Sequence, residues 1–426
     1  MGNSNEIHQT LDHLFRIESG RMVSVLVNIF GSANVELAED VVQDALYSAL
    51  ESWKFRGIPD NPKAWLYRTA RNKAIDIIRK NRFSENFDFS KGDKQLFKSE
   101  YSLKANMEAY WQDDKIKDQF LGMMYACCHP ELSQENQVTF ILKSLCGFST
   151  KEVSRAFLTS EDTISKRLLR TKNFFRQGKI RPEIPEAEEL ASRNDAVLSA
   201  IYLIFNEGHH STHNADLIRK DLIGQALYLC RSLIENEKTK TSKAMALMAL
   251  ICFHAARVDS RIGDRGRNIL LPDQDRSLWS RELIEHGKYY LNQSASGSIS
   301  SFHLEAAIAY EHCRASTFQE TDWKAILAYY DVMLKDSFDS VVFLNRCLAE
   351  MEYRGPEKAL ASLEKLANEG SMKKYYLFYA ARAEMYKRCG RSQDAVSDYS
   401  TAISLNLSSA EKEFLTTQLD ALIRQN

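Results

Sequence analysis

Apolar positions recur along most of this chain at spacings of three and four residues rather than in strict alternation, which predicts helices throughout. The clearest stretch is Leu37, Val41, Val42, Ala45, Leu46, Ala49, Leu50 and Trp53, a broad stripe along one helix. Its opposite face carries Glu36, Glu39, Asp40, Gln43, Asp44 and Glu51 and is almost purely acidic and polar. Taken alone, such a face is ordinary solvated surface; its meaning comes from the segments around it. Before it, residues 6–30 predict a helix with Ile7, Leu11, Leu14, Phe15, Met22, Val25, Leu26 and Ile29 apolar, broken by Gly31-Ser32. After it, residues 55–62 are a loop in which Asn61 supplies an N-cap and Pro62 the first position of the next helix.

That helix, Lys63 to about Arg82, turns Leu66, Ala70, Ala74, Ile77 and Ile78 inward. Lys63, Arg68, Arg71, Lys73, Arg79, Lys80 and Arg82 face a single acid, Asp76. Arg68, Arg71, Asn72 and Arg79 fall opposite the stripe, with Trp65 and Tyr67 nearby. Cations hold phosphates and rings meet unstacked bases, so the pattern suits a nucleic-acid surface as well as a plain solvated one.

Residues 83–110 read as a linker, polar and aperiodic from Ser84 to Lys104, with Phe87, Phe89, Phe97 and Tyr101 scattered in it. Fully extended it reaches about 90 Å. That separates two DNA-reading units by about two turns of duplex, roughly 70 Å. Helical patterning resumes at Trp111, first through Phe120, Leu121, Met124 and Tyr125, then through Val138, Phe140, Ile141, Leu142 and Leu145 to Gly147. Ser149-Thr150 caps a short helix to Leu158, and Ser160 caps another to about Gln177, a helix–turn–helix pattern. From Thr163 to Pro182 there are seven basic residues and no acid. Ser165, Lys166 and Arg167 lie near the N-terminal end, where a recognition helix meets base edges, with Arg170 and Lys172 further along.

Composition adds less. Lys plus Arg is 56 against 57 Asp plus Glu, so net charge says nothing about partners, whereas the two basic helices do. Only 7 prolines and 17 glycines agree with a mostly helical chain. Without an apolar run of 18 residues or a signal-peptide pattern at the polar N-terminus, a soluble, cytoplasmic protein is expected. The eight cysteines sit mostly within apolar helical patterns, as buried thiols of a reducing compartment do. Cys127-Cys128-His129 lacks the CxxC spacing of a zinc site and has no second cysteine pair.

Together these segments resemble a bacterial sigma factor of the sigma-70 family, in its extracytoplasmic-function group. The resemblance covers about residues 8–180. It rests on Ala38-Glu39-Asp40-Val41-Val42-Gln43-Asp44-Ala45 with Trp53, and on Pro62-Lys63-Ala64-Trp65-Leu66-Tyr67-Arg68-Thr69-Ala70-Arg71-Asn72-Lys73-Ala74-Ile75-Asp76. Phe148-Ser149-Thr150-Lys151-Glu152-Val153 and the basic second helix complete it. The resemblance implies that Glu39, Asp40, Gln43 and Asp44 dock on the coiled coil of the β′ subunit of core RNA polymerase. It implies that Trp65, Arg68, Arg71, Asn72 and Arg79 melt and hold the −10 element. Ser165, Lys166, Arg167, Arg170 and Lys172 would read −35 DNA, in a domain that also contacts the β flap.

The chain continues well beyond residue 182 and resembles the subgroup that carries a large helical C-terminal extension, through Cys127-Cys128-His129-Pro130-Glu131-Leu132, Ile201-Tyr202-Leu203-Ile204-Phe205-Asn206-Glu207-Gly208, Asp273-Gln274-Asp275-Arg276, Thr321-Asp322-Trp323 and Leu344-Asn345-Arg346. His209-His210 depart from it. One tetratricopeptide-like repeat is recognisable over about Tyr376–Ser409, through Tyr379, Ala383, Tyr386, Gly390, Ala395, Tyr399 and Ala402, with departures at Arg382 and Leu407. A more degenerate pair spans 341–367, and 410–423 would cap the array.

The expected fold is all-α: sigma region 2 over 6–82, a linker over 83–110, a region 4 helix–turn–helix over 111–182, a helical extension over 183–335, and tetratricopeptide-like repeats over 336–426. The expected function is promoter-directed initiation with core RNA polymerase, regulated in cis by the extension, with promoter DNA and a peptide or protein as further partners and no membrane. No catalysis, cofactor or metal is expected. One alternative is a helix–turn–helix regulator that never joins polymerase. The other is a metal-dependent enzyme on the extension: His209 and His213, four apart near Glu207 and His210, suit a shared helix face, although Gly208 and Ser211-Thr212 suggest a loop.

Overall fold

The computed structural model describes residues 2–81, 100–157, 159–177, 182–209, 218–263, 269–367, 369–370, 372–405 and 409–425. Among them are α-helices and short tight turns and no β-strand, the all-α fold that the periodicity predicts. The chain divides into two compact units: Met1–Gly208 with Lys220–Lys240, and His209–Arg219 with Thr241–Asn426.

The first unit begins with α1 (Gly2–Phe30), α2 (Val35–Arg56) and α3 (Pro62–Asn81). Met22, Val25, Leu26, Ile29 and Phe30 of α1 are fully buried. Against them α2 buries Val35, Ala38, Val41, Val42, Ala45, Ala49 and Trp53, while Leu37, Leu46 and Leu50 sit half-buried at the stripe's margins. Asn61 caps α3 as expected, its Oδ1 accepting from the Ala64 N–H at 2.9 Å. Tyr67 fastens α3 to α1: its hydroxyl donates to buried Glu18 at 2.5 Å, and Arg21 pairs with the same carboxylate at 3.0 Å. Burial and the adjacent Glu18 push the Tyr67 phenol far up, so it stays a donor.

Part of the expected linker is helical. A helix α4 (Glu100–Tyr110) buries Leu103 and Met107, a pair one turn apart in an otherwise polar stretch. Residues 82–99, with Arg82, Phe87, Phe89 and Phe97, lie outside the described residues. The chain continues through α5 (Asp113–Cys127), α6 (Gln134–Phe140), a π-type turn over Ile141–Leu145, α7 (Thr150–Ala156) and α8 (Glu161–Arg176). Both expected caps are present. Ser149 and Glu152 satisfy each other's backbone N–H at 3.2 and 2.6 Å, and Ser160 accepts from Thr163 N–H at 3.2 Å. Helical structure pauses over residues 182–186, but the packing does not. In α9 (Ala187–His209), Asn194 accepts from the buried Tyr125 hydroxyl at 3.0 Å. In α10 (Lys220–Glu235), the Tyr228 ring receives Arg21 of α1, 4.5 Å from its centroid.

The second unit is built around α11 (Ser242–Ala255), whose residues from Ala246 to Phe253 are all buried, between α12 (Arg281–Gln293) and α13 (Ser301–Arg314). Gly287 of α12 lies against the Phe253 ring, where a Cβ would come within 2.6 Å. Helix pairs follow: α14 (Trp323–Asp336), α15 (Ser340–Arg354), α16 (Pro356–Leu363), α17 (Tyr376–Arg388), α18 (Ser392–Ser404) and α19 (Ser409–Gln425). The α17–α18 hairpin turns at Gly390, φ +73°. At the departing position, Arg382 makes a bidentate pair with Asp398 at 2.6 and 2.8 Å and lies over Phe378, Tyr379 and Tyr386. Charge and ring contacts there replace an apolar side chain. Leu407 lies outside the described residues.

Candidate nucleic-acid interface

On α2, Asp40, Gln43 and Asp44 are exposed in one row, because the stripe at Val41, Val42 and Ala45 rolls them outward. The row continues into Tyr47 and Phe55, 66% and 87% exposed, an aromatic extension that the acid pattern hides in the sequence. Beside it, Lys73 of α3 approaches Asp44 at 3.9 Å.

On α3, Arg68, Asn72 and Arg79 are exposed, and Arg79 pairs with Asp76 at 3.2 Å. Trp65 is half-buried and packed edge-to-face on buried Trp53 of α2, with centroids 5.6 Å apart. It therefore stands at the junction of the two helices. Arg71 turns toward Glu108 of α4 at 3.3 Å, away from the outward row.

The second basic helix divides likewise. Ser165, Lys166 and Arg170 of α8 are exposed, with Lys166 paired to Asp162 one turn earlier at 2.7 Å. Arg167 lies over the Phe157 ring at 5.3 Å. Lys172 is half-buried and engaged: it pairs with Glu39 of α2 at 2.7 Å, and Arg176 pairs with Glu36 at 2.6 Å. Glu39, expected on the docking face, is thus engaged inside the unit, while Asp40, Gln43 and Asp44 stay exposed.

Two further contacts hold these helices together, and neither shows in the residue pattern. Gly20 of α1 lies so close to the turn ending α6 that a Cβ there would come within 1.6 Å of the Leu145 carbonyl oxygen. Arg16 of α1 pairs with buried Glu152 of α7 at 3.1 Å. Burial opposes charge on Glu152, but hydrogen bonds from Ser149 and the Arg16 guanidinium outweigh it and hold the carboxyl below its usual range. Sign-reversing Glu39→Lys is expected to cost about 1 kcal/mol, and adding Lys172→Glu to recover most of it. Urea unfolding of the two single variants and the double variant measures this; additive losses would sink the pairing.

Cys127 and Cys128 are buried, and burial pushes both thiols far up. His129 packs on Phe174 instead of joining them. In the second unit His209 is buried against His254, with ring centroids 4.7 Å apart, while His210 and His213 lie outside the described residues. No group of three His, Cys, Asp or Glu among the described residues is arranged to hold a metal.

The model of sigma-70 region 2 matches residues 14–84, which span most of α1 and all of α2 and α3. An uncharacterized protein of Rhizobium meliloti (strain 1021) is 31% identical over 391 residues, 91% of this chain and 90% of that protein. The chain carries a sigma-70 region 2 domain. It shares one full-length family with the Rhizobium protein. The sigma-70 match places the acidic α2 face and the basic α3 face in a domain type that binds core RNA polymerase and promoter DNA. A family of unknown function (DUF6596) matches residues 193–295, so the stretch from within α9 through α12 is a family feature as well. No solved structure matches the chain. No helix among the described residues is long and apolar enough to cross a membrane.

Proposed function

We propose that this protein is a sigma-70 promoter-specificity subunit of the extracytoplasmic-function type, in which the segment up to α8 does the work of regions 2 and 4. The observation that carries the reading is the outward row Asp40, Gln43, Asp44 on α2 beside the outward row Arg68, Asn72, Arg79 on α3. The acidic row docks on the polymerase β′ coiled coil. The cationic row with Trp65 holds the melted −10 strand, whose binding energy offsets unstacking. Ser165, Lys166 and Arg170 read −35 DNA, and Arg167 and Lys172 join them once α8 leaves α2. Transcription in vitro by core polymerase on a promoter library tests this: promoter-specific transcripts that require the protein support it. DNA binding without association with core polymerase would make it a stand-alone regulator instead.

The extension, with tetratricopeptide-like pairs at its end, regulates this activity in cis. Because α9 and α10 belong to the first compact unit, the informative truncation ends after Lys240, not at the pause near residue 182. Removing residues 241–426 is expected to change promoter output by about fivefold or more, the size of an ordinary allosteric coupling. Equal output from the truncated and full chains would leave the extension without a regulatory role.

A further inference from the structure

The second unit holds a group of arginines with no carboxylate among the described residues paired to any of them. Arg257 follows α11, Arg261 ends the turn Val258–Arg261, and Arg276 opens the turn Arg276–Leu278. Trp279, 4% exposed, ties the first and third together: their guanidinium carbons lie 5.3 and 4.5 Å from its ring centroid. The ring itself is fixed, its Nε1–H donating to buried Ser260 Oγ at 2.8 Å.

Accounting for the donors leaves a deficit. Arg261 donates to the His209 carbonyl at 3.0 Å. Arg276 donates through Nη1 to the carbonyls of His312 and Ala315 at 2.6 and 2.7 Å, where α13 ends. The C-terminal end of a helix suits a cation, so Arg276 has part of what it needs. Arg257 has none of it. It is 8% exposed and donates no side-chain hydrogen bond to any described residue. Its Nε, Nη2 of Arg276 and Nδ1 of His312 are all buried without a hydrogen-bond partner.

A guanidinium removed from water costs several kcal/mol unless an opposite charge meets it. Here the strain registers on every member. Burial lowers Arg257, Arg261 and Arg276, with Arg261 down to about 10. Burial and then the two neighbouring arginines bring His312 to about 3, so its imidazole is neutral. Glu320 is the carboxylate near enough to act on Arg276, and it makes no ion pair with it. The group lacks one component, a negative charge with several acceptor atoms.

We propose that Arg257, Arg276 and His312, with Arg261 adjoining, bind a small oxyanion: the carboxylate or phosphate group of a soluble ligand. The planar fork of a guanidinium matches both groups bidentately, which an ammonium does not. A neutral His312 adds a donor through Nδ1 in the tautomer that carries hydrogen there. The site stands whether or not the first unit joins polymerase, because every residue in it belongs to the second.

The test titrates the full-length chain in chloride buffer at matched ionic strength, with inorganic phosphate in one arm and succinate in the other. Saturable binding of one anion per chain is expected in at least one arm by titration calorimetry. The melting temperature should rise by about 4 °C or more at saturation. Arg257→Gln should abolish the response. Arg257→Lys, which keeps the charge and most of the stem, should bind at least about tenfold more weakly and covers the case in which the first variant fails to fold. No response to either anion beyond chloride would overturn the site, as would a response that both variants keep unchanged.

Discussion

Gly20→Ala will cost the first unit about 3 kcal/mol or more, and its first unfolding transition will fall by roughly 6–12 °C. Overpacking usually costs less, because side chains at the contact have rotamers to yield. Here the obstacle is main chain. The added carbon would sit 1.6 Å from the carbonyl oxygen of Leu145 and within 2.8 Å of its Cα. Relief requires α1 to move bodily away from the π-type turn. That motion also loosens Arg16 from Glu152 and the close approach of Gly147, where a Cβ would meet the Arg16 Cα at 3.2 Å. Gly224 is the control. It lies in the second turn of α10, where a Cβ would meet nothing within 4 Å. Gly224→Ala should therefore stabilise by about 0.5–1 kcal/mol through helix propensity alone. Chemical unfolding of both variants decides the matter; a harmless Gly20→Ala would mean that α1 does not rest on that turn.

Asp40→Lys with Gln43→Lys is expected to weaken binding to core polymerase by about a hundredfold or more. Both side chains are exposed, so the folded chain should lose no more than about 0.5 kcal/mol. That separation is the useful part: fluorescence anisotropy with labelled protein reads the binding, and thermal melting reads the fold. Affinity unchanged within error would move the docking surface off this row, with the exposed Tyr47 and Phe55 next to be replaced.

What the sequence disclosed follows from how local each signal is. The α2 stripe, the Asn61 and Ser160 caps and the paired turn at Ser149 and Glu152 are patterns within one or two turns of helix, and each stands where its residues indicate. The outward rows were legible for the same reason, since a buried stripe dictates what lies opposite. Helix α4 was missed because Leu103 and Met107 alone make too thin a stripe among polar neighbours. Gly20 reads as a weak point in a helix until Leu145, far along the chain, is placed against it. The pairs Glu39–Lys172 and Glu36–Arg176 were hidden differently. An acidic face and a basic face each point outward in one dimension, toward separate partners, and only three dimensions let them point at each other. The arginine cluster draws on three segments, of which only the one at Arg276 carried a recognisable motif.

The two α2–α8 ion pairs also bear on thermodynamic linkage. Duplex binding draws much of its strength from condensed counterions released as each phosphate meets a cation. Lys172 and Arg176 already hold Glu39 and Glu36. DNA that takes up these two cations leaves two carboxylates to gather cations from the buffer, which cancels part of the release. The slope of log affinity against log salt is then shallower by up to about 1.8 than the number of phosphates contacted implies, at roughly 0.9 for each such exchange. A protein that binds DNA through these cations would sacrifice affinity at low salt and hold its occupancy more evenly as ionic strength changes.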